Sequence, residues 1–186
     1  MGNTHMSNHT LVFSAGIDPQ SANAFIQQLA QLQAAKVDKL TIAMNSGGGN
    51  VHAGILMYNA IRAMPFEVTT HNIGHVDSIA NIIFLAGSTR YACGPSTFMF
   101  HGVGFDLNAG QRLEEASLEA MLDTVLTDHK RMSAIIAGQT GLSPEAGMEL
   151  FKQQKTKDAK WAKDNGLIKE IRDFAYPQSN VTLFVQ

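Results

Sequence analysis

VDKLTIAMNSGGGNVHAGILMYNAIRAMP, residues 37–65, contains one strand, one sharp break and one helix in immediate succession. Val37 to Met44 is rich in β-branched and apolar residues and reads as a strand. Asn45-Ser-Gly-Gly-Gly-Asn50 ends it. Ile55, Met57, Tyr58, Ile61 and Met64 then give a helix an apolar face, and Pro65 stops it. The neighbouring stretches repeat the pattern. Leu11 to Ala15 reads as a strand ended by Gly16. Asp18-Pro19 opens a helix whose Ala22, Phe25, Ile26, Leu29 and Leu32 fall at helical spacing. Downstream, Phe66 to Ile73 reads as a strand, Gly74 to Ser78 as a turn, and Ile79 to Ala86 as a buried helix broken only by Asn81. Thr89 to Ala92 and Thr97 to Phe100 are short strands on either side of Gly94-Pro95. Strand and helix alternating in this way predict an α/β chain of parallel βαβ units, with sites where strands end and helices begin.

From Leu107 the character changes. Gln111 to Ala137 is one long helical pattern, with Leu118, Met121, Leu122, Val125, Leu126 and Met132 as its apolar stripe. Gly138 and Gly141 mark its end. Ser143-Pro144 starts another helix, Asp158 to Asn165 a further one closed by Gly166, and Leu167 to Ile171 a last strand. The expected organisation is a disordered leader over 1–10, in part left over from expression, one domain over 11–171, and a tail over 172–186. The tail carries an edge-strand pattern at Val181 to Val185.

Composition narrows the function classes. The 186 residues are 45% hydrophobic and 16% charged with a net charge of -2, which suits a soluble core-forming domain and supports neither nucleic acid nor an anionic membrane as partner. No apolar run is long enough to span a bilayer and the N-terminus is no signal peptide. A single cysteine, Cys93, excludes an internal disulfide and points to a reducing, cytoplasmic setting. None of the seven histidines forms a helical pair around a carboxylate, so no metal and no cofactor is expected.

Three places could carry chemistry. The triple glycine at 47–49 can present backbone N–H groups with no side chain in the way; it lacks the lysine of a phosphate loop, but an oxyanion needs only the amides. Ser78, between a glycine-bearing turn and a helix, reads either as a helix cap or as a nucleophile whose following N–H helps bind an oxyanion. His101, at the end of an apolar strand, reads either as a hydrogen-bonded structural residue or as a general base.

Taken together and in order, these pieces resemble the proteolytic subunit of the Clp protease family. Asn45-Ser-Gly-Gly-Gly-Asn-Val51 with Ala53-Gly54 and Tyr58 is similar to that family's glycine-rich turn and helix. Gly74-His-Val-Asp-Ser78 is similar to its nucleophile segment, and Met99-Phe-His101 to its base segment. Lys130-Arg-Met132, Thr140-Gly141 and Gly166-Leu167 fit its later landmarks, so the likeness runs from about Leu11 to Ile171. The resemblance implies a crotonase-like spiral of ββα units with a long protruding helix. It also implies a serine endopeptidase of unfolded chains and peptides, built as stacked heptameric rings. Ser78 would be the nucleophile, His101 the general base, and the amides of Gly49 and Ile79 the oxyanion hole.

Two departures follow. Counting on from Lys130-Arg-Met132, the family's third triad member, an aspartate, falls on Gln154, which can accept a hydrogen bond but brings no charge; loss of that charge costs about ten thousandfold by analogy. Asp158, one turn on, and Asp77, beside Ser78, are the alternatives. The family's longer leader engages an ATP-driven unfoldase; about ten residues precede the first strand here, which argues against that partner. Two other readings stay open: a catalytically weak or inactive ring subunit, favoured by Gln154, and an acyl-CoA hydratase or isomerase of the crotonase fold, for which Asp77 is the one nearby carboxylate.

Overall fold

The computed structural model describes residues 7–107, 109–176 and 182–185, the backbone alone for 182–184. The rest of the expected leader and of the tail, including Val181, lies outside the described residues. Strand β1 (Asn8–Ser14) leads into helix α1 (Pro19–Ala34), β2 (Lys39–Ser46) into α2 (Val51–Arg62), and β3 (Glu67–Asp77) into α3 (Ala80–Phe84). Then come β4 (Thr89–Ala92), β5 (Thr97–Met99), the long α4 (Glu115–Gln139), α5 (Pro144–Gln153), β6 (Thr156–Asp158), α6 (Ala159–Asp164), β7 (Glu170–Ile171) and β8 (Thr182–Val185). One eight-stranded sheet runs β6-β5-β3-β2-β1-β8, with β4 paired to β3 and β7. All its pairings are parallel except β5 with β6. This is the mixed α/β architecture with a parallel sheet that the strand-helix alternation requires.

The helices form for local reasons and stay for packing ones. Asp18 and Ser21 close a reciprocal capping box on α1, with Ser21 N donating to Asp18 Oδ1 at 2.8 Å and Asp18 N to Ser21 Oγ at 3.0 Å. The buried face of α1 (Phe25, Leu29, Leu32) meets β1, where Phe13 packs edge-on against Phe25 with centroids 5.7 Å apart. Asn50 caps α2 by accepting from Ala53 N at 2.9 Å. Leu11, Leu40, Ile42, Met44, Met57 and Ile83 fill the space between sheet and helices.

Strand β3 is longer than its sequence pattern. It runs through Gly74 to Asp77, where a turn was expected, because it changes partners on the way. Residues 69–72 pair with β4, and 75–77 pair with β5. Gly74 is needed at the change: a Cβ there would lie 2.5 Å from Asn45 Oδ1. Helix α3 is correspondingly short, five residues that are all buried. The long helix α4 begins at Glu115 rather than Gln111. Its first half leaves Leu118, Leu122 and Leu126 exposed, and its second half buries Met132, Ser133 and Ile136.

Candidate active site

Parallel pairing explains how Ser78 and His101 come together. Asp77, the last residue of β3, is registered opposite Met99, the last of β5. Ser78 follows the first directly and His101 lies two residues beyond the second, so both leave the same end of the sheet. They line one cavity of about 120 Å³ with Gly49, Ile79 and the Gly102–Gly104 segment, walled by the apolar side chains of Val51, Val103, Met132 and Phe151.

Ser78 has φ 56°, the left-handed region that a residue with a Cβ adopts at a cost of about 1–2 kcal/mol. The surroundings hold it there. Ser78 N donates to Met99 O at 2.8 Å, and Asp77 Oδ1 accepts from Met99 N at 3.1 Å. The buried Asn81 amide donates to both Ser78 O (3.1 Å) and Met99 O (2.8 Å). The Ser78 hydroxyl itself makes no hydrogen bond among the described residues, and Ser78 lines the cavity.

The glycine turn approaches from the other side. Ile17 N donates to Gly48 O at 2.8 Å and Asn50 N to Ile17 O at 2.7 Å, which pins the turn to the β1–α1 connection. Gly48 has φ 86°, and a Cβ on it would stand 2.6 Å from Ser78 Cβ. Gly49 has φ 146°, and a Cβ on it would collide with the Ile17 carbonyl. Both positions therefore require glycine. The N–H groups of Gly49 and Ile79 donate to no acceptor among the described residues.

His101 Nδ1 stands 2.8 Å from Gly102 O. A carbonyl can only accept, so Nδ1 carries a proton, and Nε2 makes no hydrogen bond among the described residues. No hydrogen bond joins His101 to Gln154, Asp158 or Asp77, the three residues expected to orient this ring. Gln154 is exposed, outside the cavity lining, and ends α5 in the left-handed conformation at φ 50°. Asp158 accepts from Trp161 N at 2.7 Å as the exposed N-cap of α6. Asp77 spends one oxygen on Met99 N. Burial raises its pKa, while His75, that N–H and the charge of His101 act against the rise. Sequence reasoning missed Asn81, whose one signal was its polarity inside an apolar run, and the Gly102 carbonyl, which has no sequence signal.

Away from the cavity lining, buried His71 donates through Nε2 to Arg172 O at 3.1 Å, with half-buried Cys93 Sγ at 3.7 Å; burial lowers the pKa of His71. Among the described residues no three His, Cys, Asp or Glu side chains gather as a metal site, and no helix is long and apolar enough to cross a membrane.

The Clp protease family model matches residues 3–174 of this sequence. The chain belongs to the Clp protease family. Its fold is similar to that of a solved mutant of ClpP1 from Listeria monocytogenes, with 25% identity, a TM-score of 0.76 and coverage of 89% of this chain and 91% of that one. At the level of the Clp protease family, this is a serine peptidase scaffold, and the cavity described above is where its βα and ββ connections converge.

Proposed function

We propose that this chain is a serine peptidase that cleaves peptides or unfolded protein chains, with Ser78 as nucleophile and His101 as general base. The observation that carries the reading is the left-handed Ser78. Its free hydroxyl shares one cavity with the free Nε2 side of His101 and two uncommitted backbone amides. Strained non-glycine residues of this kind are kept where the strain has a use.

In this reading Ser78 Oγ gives its proton to His101 Nε2 and attacks the scissile carbonyl carbon. The carbonyl oxygen takes up negative charge between the N–H groups of Gly49 and Ile79, donors worth about 2.7–4 kcal/mol each in related sites. The imidazolium then hands its Nε2 proton to the leaving amine, and an acyl-serine remains for water to hydrolyse. Val51, Ile79, Val103, Met132 and Phe151 suit an apolar side chain next to the cleaved bond.

Assembly into rings is part of the proposal. Leu118, Leu122 and Leu126 recur every four residues along the exposed half of α4, a stripe that a second copy would cover. The second reading, a ring subunit that scaffolds active partners, is favoured by the lack, among the described residues, of any carboxylate hydrogen-bonded to His101. The hydratase reading loses its acid/base group, because Asp77 does not line the cavity.

The test is a fluorophosphonate probe on the purified oligomer, with mass-spectrometric location of the adduct. Labelling at Ser78, lost together with peptide cleavage in Ser78→Ala, supports the peptidase. An intact oligomer with no adduct supports the scaffold.

A further inference from the structure

The described residues between β5 and α4 form no regular structure, so their backbone groups need partners from elsewhere. One peptide unit in this run has both of its polar groups engaged. The Gly102 carbonyl faces His101 Nδ1 at 2.8 Å, and the Val103 N–H, the other half of the same planar unit, donates to His129 Nε2 at 2.9 Å. His129 belongs to α4, and its ring lies flat on Phe151 of α5, with centroids 5.1 Å apart and an interplanar angle of 10°. A Cβ on Gly102 would come 3.3 Å from His129 Nε2, so only a small residue fits there comfortably.

We propose that His129 is a positioning residue that holds the Gly102–Val103 peptide plane, and through that plane fixes the ring of His101. This rests on the peptidase reading above. The chain is His101 Nδ1–H, Gly102 C=O, Val103 N–H, His129 Nε2. A carbonyl orients an imidazole only as firmly as its own peptide is held, and an unanchored glycine-flanked peptide can rotate. His129 removes that freedom. The effect is also electronic. When His101 becomes imidazolium it polarises the carbonyl, which makes the Val103 N–H a better donor, and His129 strengthens with it. The arrangement requires neutral His129 with its proton on Nδ1. Burial lowers the His129 pKa and so favours that form, against the pull of the neighbouring Asp128 carboxylate.

Two variants separate the acceptor from the packing. His129→Phe keeps a ring on Phe151 and removes the acceptor; His129→Gln places an amide oxygen near the position of Nε2. The assembled protein is read three ways: thermal midpoint, fluorophosphonate labelling rate at Ser78, and hydrogen exchange of the peptide covering 101–107. The expected result is a Phe variant that melts near the parent, exchanges Val103 about tenfold faster and labels about tenfold or more slowly, consistent with one lost hydrogen bond and its orienting role. The Gln variant should recover both to within roughly threefold. A folded Phe variant that exchanges and labels like the parent overturns the proposal, and so does a folded Gln variant that fails as the Phe variant does. An unlabelled parent sinks the peptidase reading instead. Exchange then decides the tether alone: faster in His129→Phe supports it, unchanged overturns it.

Discussion

Replacing Ser78 by glycine should make the protein more stable while removing its proposed nucleophile. Ser78 sits at φ 56°, where a Cβ costs about 1–2 kcal/mol. Glycine escapes that cost but brings about 0.5–1 kcal/mol of extra unfolded-state entropy. No hydrogen bond is lost, since the hydroxyl has no partner among the described residues and Asn81 holds the backbone carbonyl, not the side chain. The net is a gain centred on about 0.75 kcal/mol and at most about 1.5 kcal/mol, or ~1.5–3 °C in the thermal midpoint at the centre for a chain of this size. Ser78→Ala keeps the Cβ and the backbone strain, so it should melt with the parent. Midpoints are compared at one protein concentration, because assembly shifts them. A second arm uses Gly48, where an added Cβ would meet Ser78 Cβ at 2.6 Å and Asp77 O at 2.7 Å, at φ 86°. Gly48→Ala should therefore cost about 1–3 kcal/mol alone and measurably less in the Ser78→Gly background, where one of the two collisions is gone. Ser78→Gly melting at or below the parent refutes the strain argument. Equal gains in Ser78→Gly and Ser78→Ala also refute it, because the hydroxyl and not the backbone would then be the source.

Asn81→Leu removes two buried hydrogen bonds that lock the Ser78 turn to the end of β5, and should lower stability by about 2 kcal/mol in denaturant titration; a loss under about 0.5 kcal/mol would show the lock to be unimportant. His71 has a folded pKa below its unfolded value of about 6.5, so the stability it contributes is present above that pH and is lost as pH falls through the lowered folded value. Denaturation midpoints between about pH 7.5 and 5 should fall less steeply in His71→Gln than in the parent, and equal slopes would count against this assignment.

The parts of the fold that follow local rules could be read directly. Asp18-Pro19 announced α1, the glycine turn separated β2 from α2, and the alternation of strand and helix required parallel pairing. What escaped was decided by distant partners. Gly74 looks like a strand breaker, yet it lies inside β3 because the strand changes partners there, and Asn45 leaves no room for a Cβ at that point. The apolar run from Ile79 to Ala86 gave no helical face to measure, since every residue of α3 is buried. The sequence alone left Ser78 open between cap and nucleophile and His101 open between structure and base. The shared end of β3 and β5 brings the two to one cavity, and their roles there are the proposal. His129 stood apart from any recognisable pair, because its partner is a backbone N–H 26 residues away. Side-chain spacing carries no trace of such a bond.

The proposed peptidase has no carboxylate hydrogen-bonded to its base among the described residues, and that poses a definite energetic problem. Proton transfer from Ser78 puts a positive charge on His101, and an aspartate on Nδ1 stabilises that charge directly; replacing it with a neutral partner costs about ten thousandfold, though in that precedent the amide also supplied the wrong tautomer. Here the Gly102 carbonyl supplies the right tautomer, because it can only accept. The tautomer part of the penalty is thus avoided and the charge part remains. The Gly49 and Ile79 amides act on the opposite charge, and their contribution does not depend on what holds the imidazole. The proposal therefore predicts a slow but serine-dependent hydrolase, one that relies on the oxyanion side of the site and holds its imidazolium by geometry more than by charge.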